Sequence, residues 1–188
     1  MFLPMRCPGC GEAVSGPCQV CAALLAAGAR CVPGSTPFAH SGHPRQVVLG
    51  LKYRNARHAA RLLAPSVAAS VESPGLLHAV TWTPTTARRL AQRGYDPAEL
   101  LAREVARLLG LPCRRLLYRS RRSSPQAGKD RLARLVGPEF IARPFWARRR
   151  ILLIDDVTTT GATLRSGANA LLRAGAAEVQ CLAATAAP

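Results

Sequence analysis

Short apolar runs and longer amphipathic stretches alternate along the 188 residues of the chain. Ile151–Ile154 is continuously apolar, as expected of a strand covered on both faces. Ala79–Thr83 has the same character and stops at Pro84, and Cys113–Tyr118 and Glu178–Thr185 predict two further strands. Helical periodicity lies between them. Asp96-Pro97-Ala98-Glu99 predicts a helix start, with an N-cap, a proline at the first helical position and a capping-box glutamate. Leu100, Leu101, Val105, Leu108 and Leu109 supply its apolar face, and Gly110 and Pro112 end it. Residues 46–72 read as helical in two parts, with Pro65 marking the break or the second start, and a short helix is predicted over Ala22–Ala27. Leu164, Ala168, Leu171 and Leu172 share one face of a helix that ends at Gly175. Strands alternating with helices predict an α/β fold with a parallel sheet and right-handed crossovers.

Composition narrows this picture. The chain is 48% hydrophobic, sufficient for a substantial core. No uninterrupted apolar run reaches the roughly 18–20 residues of a membrane span, so a soluble cytoplasmic protein is expected. Formal net charge is +16, and nearly all of the positive charge is arginine, with lysine only at Lys52 and Lys129. Such an excess suits polyphosphates, nucleic acid or an acidic partner protein, and arginine suits bidentate phosphate recognition.

Cys7-Pro8-Gly9-Cys10 and Cys18-Gln19-Val20-Cys21 are two CxxC knuckles, the arrangement of a structural zinc site with no open coordination position. Disulfides or a redox pair are the alternatives. No signal peptide precedes the cysteines, and residues 6–21 hold almost no aliphatic core, both of which favour a metal. Cys113 and Cys181 read as buried free thiols, whereas the context of Cys31 assigns it no role. His40 and His43 fall in a Pro, Gly and Ser-rich stretch and read as loop residues. The implied organisation is a zinc module over 1–30, a linker over 31–45 and an α/β domain over 46–188.

The chemistry concentrates where the 151–154 run ends. Asp155 and Asp156 stand at the carboxyl end of a buried strand, the edge at which open α/β sheets bind ligands. Carboxylates accept hydrogen bonds, which suits paired ribose hydroxyls or the shell of a magnesium ion. Thr158, Thr159, Thr160, Gly161, Ala162 and Thr163 follow and lead into a helix whose amino terminus offers N–H groups to an anion. This order resembles the phosphoribosyl pyrophosphate (PRPP) motif of type I phosphoribosyltransferases. The resemblance implies that Asp155 and Asp156 hold the ribose hydroxyls with Mg²⁺, and that residues 158–163 wrap the 5′-phosphate. Thr158 occupies a place that is often aliphatic in that wider family.

The two CxxC pairs, Leu51-Lys52-Tyr53-Arg54, the strand ending at Pro84, Gln92-Arg93-Gly94-Tyr95-Asp96, Gln126, Arg134 and the 151–163 motif together resemble the ComF family. That resemblance implies a phosphoribosyltransferase-like domain behind a cysteine zinc module and an association with DNA uptake. It places Lys52, Thr83, Pro84, Thr85, Arg93 and Gln126 on the pyrophosphate side, beside a basic loop over 119–131. Two positions depart from the family pattern: Asp96 stands where Asn is common, and Gly137 stands where an Asn is frequent. Two functions follow as expectations. One is a PRPP-dependent transferase that displaces pyrophosphate at ribose C1. The other is a non-catalytic competence factor that binds single-stranded DNA or competence-machinery proteins and takes PRPP as a regulatory ligand. A homo-oligomer is compatible with either.

Overall fold

The computed structural model describes residues 5–14, 18–32, 34–120, 138–144 and 148–187. At the amino end, β1 (Met5–Arg6) and β2 (Ala13–Val14) pair antiparallel and lead to α1 (Gln19–Gly28). There follow β3 (Phe38–Ala39), α2 (Gly42–Tyr53), α3 (Ala59–Ala69) and β4 (Ala79–Trp82). Next come α4 (Ala87–Arg93), α5 (Pro97–Leu109), β5 (Leu117–Arg119) and β6 (Phe140–Ala142). The chain closes with β7 (Arg149–Thr158), α6 (Ala162–Arg173) and β8 (Ala176–Ala186).

The expected parallel sheet is present, with strand order β3-β8-β7-β4 and every neighbouring pair parallel. All four strands therefore end at one edge. The apolar run of β7 is explained by its two covered faces. Leu152 and Ile154 pack with α2, α3 and α5 through Val47, Leu51, Leu63, Leu101 and Val105. Ile151 and Leu153 pack on the other side against Leu117, Phe140, Leu164 and Leu171. Adjacent residues of a strand point to opposite faces, so a strand buried twice must be apolar throughout.

Three expectations change. Pro65 does not mark the helix break; it sits exposed inside α3. The break falls over residues 54–58, where Asn55 adopts φ 51°, a left-handed conformation that asparagine tolerates. Cys113–Tyr118 is not one strand. Cys113 bridges Val80, the exposed Arg114 and Arg115 turn to solvent, and Leu117–Arg119 pairs instead with Phe140–Ala142. The stretch 31–45 also holds more than connecting chain: Phe38–Ala39 add an edge strand to β8, and α2 begins at Gly42. Among the described residues no helix is long and apolar enough to cross a membrane.

Candidate functional site

Asp155 and Asp156 lie near the end of β7, and both residues are largely buried. Asp155 turns back on its own chain, its Oδ1 accepting from the Asp156 amide at 2.8 Å. Burial, reinforced by the neighbouring charge of Asp156, pushes the Asp155 carboxyl up to about 8. Asp156 is paired: Lys52 Nζ stands 2.9 Å from its Oδ1, both side chains being mostly buried. Lys52, a pyrophosphate-side candidate from the sequence, lines the edge cavity and there neutralises Asp156. It is held there because the Tyr95 hydroxyl donates to the Leu51 carbonyl at 2.6 Å, fastening the end of α2 to the start of α5.

Across the sheet edge, Thr83, Pro84 and Thr85 follow β4. They line a cavity of about 230 Å³ together with Asp155, Asp156 and Thr163. Its cationic wall is Lys52, Arg89, Arg93 and Arg119. The Thr85 amide is not open to a ligand, because it donates to Asp96 Oδ2 at 2.8 Å. Asp96 Oδ1 also accepts from the Ala98 amide, capping α5 as its sequence predicts. Burial raises the Asp96 carboxyl above its usual range, and the Thr85 amide opposes that shift. The capping-box partner is diverted: Glu99 receives Arg103 at 2.7 Å.

A second cavity of about 540 Å³ adjoins the first through Lys52, Tyr53, Arg89 and Arg93, and is completed by Asn55, Gln92 and Tyr95. Tyr53 is 68% exposed, with the Arg93 guanidinium 5.0 Å from its ring centre. A larger, more apolar cavity of about 640 Å³ lies at the opposite edge, near Ala79 and Arg149, away from these carboxylates.

The loop after β7 divides by position. Thr158 belongs to the strand, its carbonyl accepting from the Ala187 amide at 2.8 Å. Thr159 and Thr160 are exposed, and Gly161 precedes α6 with φ 72°. That positive φ is the conformational reason for glycine here. Thr163, the second residue of the helix, lines the cavity with the carboxylates. Arg165, passed over in the sequence, reaches back and donates to the Thr160 carbonyl at 2.6 Å. It therefore adds a cation at the Thr/Gly loop; its place four residues after Gly161 was the available signal. Arg119 enters the cavity from β5, its Nε buried without a partner among the described residues. Gln126 and Arg134 lie outside the described residues.

The cysteine knuckles converge. The sulfurs of Cys7, Cys10, Cys18 and Cys21 all lie within 4.8 Å of one another. Cys7, Cys18 and Cys21 are buried and belong to the same apolar cluster as Leu25 and Val47. Cys18 caps α1, and the Cys21 amide lowers its thiol to about 7. Four converging sulfurs, with no carboxylate or imidazole in the cluster among the described residues, fit a zinc ion in a closed site. Cys31 stands apart, its Sγ directed to the Ser66 carbonyl at 3.6 Å. Burial pushes the half-buried Cys113 and Cys181 up to about 11, as suits unreactive thiols.

The chain thus combines a four-cysteine site with a parallel α/β sheet whose carboxyl edge gathers two carboxylates, a Thr/Gly loop and a cationic wall. No protein-family model matches it. It is 34% identical over 95 residues to Competence protein F of Haemophilus influenzae, a match covering 47% of this chain and 42% of that protein. The chain therefore spans less than half of that relative's length. This relative agrees with the ComF resemblance carried by the motifs.

Proposed function

We propose that the protein binds PRPP at the carboxyl edge of the sheet and transfers its phosphoribosyl group, in association with DNA uptake. The observation that carries this reading is the convergence of Asp155, Asp156 and Thr163 with the Thr83–Thr85 loop on one cavity. Asp155 and Asp156 would accept from the ribose hydroxyls, and the loop over 159–163 would receive the 5′-phosphate at the start of α6. The carboxylate oxygens also fit a hard divalent cation; Mg²⁺ bound there would offset charge on the pyrophosphate oxygens. Lys52, Arg89, Arg93 and Arg119 line the side on which charge builds as pyrophosphate leaves ribose C1. Their contribution is electrostatic preorganisation. The adjoining cavity beside Tyr53 is where an acceptor nucleophile would approach. The competence association comes from the name of the Haemophilus relative.

A second reading is favoured by the net charge of +16 and the exposed Tyr53–Arg93 stack. In it the chain is a competence factor that contacts single-stranded DNA or a partner protein and uses PRPP as a regulatory ligand. Pyrophosphate release from PRPP and Mg²⁺, measured with pooled nucleobases and amines, separates the two. Turnover supports the transferase; saturable binding without turnover supports the regulatory ligand. Asp155→Asn/Asp156→Asn is expected to abolish PRPP binding in calorimetry, and unchanged binding would remove the ligand from this edge.

A further inference from the structure

Helix α2 carries Lys52 in its last turn and begins beside the cysteine knuckles. His43 lies in its first turn, not in a loop. The His43 Nε2 atom is buried and has no hydrogen-bond partner among the described residues. Gly9, between Cys7 and Cys10, is what lets the ring approach. A methyl group placed on Gly9 would collide with His43 Cε1. It would also stand 2.8 Å from His43 Nε2 and 2.9 Å from Cys21 Sγ. The ring nitrogen and the cysteine sulfur therefore both approach the one point where a side chain at residue 9 would stand. Pro8 packs onto the same helix at Gly50, where an added methyl would collide with the Pro8 ring. The first knuckle is thus seated on α2 at two places, seven residues apart.

A buried N–H without an acceptor bears its full desolvation cost, so native structures rarely leave one unpaired. The four sulfurs supply the missing acceptor once they are thiolates on a dication, a group carrying a net charge of about −2. Three of those cysteines are buried, so that charge cannot be solvated freely. His43 is outside the four-sulfur cluster, which is complete without it. We propose that His43 Nε2–H donates a hydrogen bond to a metal-bound thiolate, that of Cys21, which shares with it the space beside Gly9. His43 is then a positioning residue. It orients the sulfur, offsets the charge of the tetrathiolate and joins the metal site to the helix that carries Lys52. The inference rests on the zinc reading of the cysteines.

The test uses the full chain loaded with zinc. Metal analysis of the wild type comes first; a reduced preparation without bound metal overturns the zinc reading itself. Zinc release to a chromogenic chelator is then followed for the wild type, His43→Leu and His43→Gln. Groups that hydrogen-bond to metal ligands are worth about 10–100-fold in affinity. We expect His43→Leu to release zinc about 10-fold faster. His43→Gln, whose amide places a donor near Nε2, is expected to stay within about 3-fold of wild type. Equal rates for wild type and His43→Leu overturn the proposal. Equally fast release from both variants also overturns it, since packing and not the N–H would then be responsible. Cobalt substitution should give the same tetrathiolate spectrum in wild type and His43→Leu; a shift would make the imidazole a ligand and overturn the positioning role. Should His43→Leu fail to fold, ¹⁵N and ¹¹³Cd resonances of the cadmium-loaded wild type decide. A proton on Nε2 coupled to the metal is expected, and a ring protonated only on Nδ1 overturns the assignment.

Discussion

Asp155 is the residue most altered by its surroundings. Burial and the adjacent Asp156 charge raise its carboxyl to about 8. A raised carboxyl favours the protonated form in the fold. Its stabilising contribution is therefore complete below the unfolded value near 4 and is lost as pH rises through about 8. Ligand binding has the opposite sign, because a cation or a sugar hydroxyl needs the carboxylate. Affinity for PRPP with Mg²⁺, followed from about pH 6 to pH 9, is expected to rise at first and to level above about 8. Calorimetric titration across that range checks it, and a flat profile removes Asp155 from the binding group. The difference in melting temperature between wild type and Asp155→Asn should also change with pH over the same interval. Asp96 carries a second prediction. Its two oxygens serve two amides, those of Thr85 and Ala98. Asparagine has one carbonyl oxygen, so Asp96→Asn should lose one bond and about 1 kcal/mol in denaturant unfolding. The cap was legible in the sequence because it is local. The Thr85 bond was not, since it spans eleven residues and exists only once β4 and α5 are packed.

At the scale of elements, legibility follows burial. Strand β7 and helices α5 and α6 were readable because each has apolar positions facing a core. Helix α4 was not, because none of its residues is buried and its sequence shows arginines without an apolar stripe. Helix α6 docks closely on β7. A methyl on Gly167 would stand 2.9 Å from Leu153 Cδ2 and 3.2 Å from Leu117 Cδ1. Gly167→Ala should therefore lower stability by about 1–3 kcal/mol through overpacking, despite the better helix propensity of alanine. Thermal unfolding checks this, and a gain in stability would show that the interface yields. Helix α2 links the molecule's two chemical centres, with His43 at one end and Lys52 at the other. Lys52→Met leaves Asp156 without its cation in a mostly buried setting. The expected loss is roughly 1–3 kcal/mol, below that of a fully buried pair. The double variant Lys52→Met/Asp156→Asn should recover part of it, and a double-mutant cycle measures the coupling. Additive losses would mean that the pair contributes no interaction of its own.

For the whole molecule, the question is how an excess of +16 coexists with a site built around carboxylates. The two are arranged in layers. Asp96, Asp155 and Asp156 are buried, whereas Arg89 and Tyr53 are exposed around them and Arg93 stacks on the Tyr53 ring. An anion approaching the edge meets cations first and carboxylates only at the cavity floor. The same outer layer suits the backbone and bases of single-stranded nucleic acid, because an exposed aromatic flanked by arginines offers stacking and charge together. Under the competence-factor reading, oligothymidine should bind at low salt and weaken steeply as salt rises. About six phosphate contacts on a single strand would give a fall of about 300-fold between roughly 50 and 200 mM. Tyr53→Ala should weaken binding by about 1–3 kcal/mol if a base stacks there, with zinc content unchanged. PRPP with Mg²⁺ should compete with the oligonucleotide, since Lys52, Tyr53, Arg89 and Arg93 line both cavities. Fluorescence anisotropy reads all three effects. Binding that persists unchanged with saturating PRPP would move the nucleic-acid surface away from this edge, and no binding at low salt would leave the positive layer to the pyrophosphate alone.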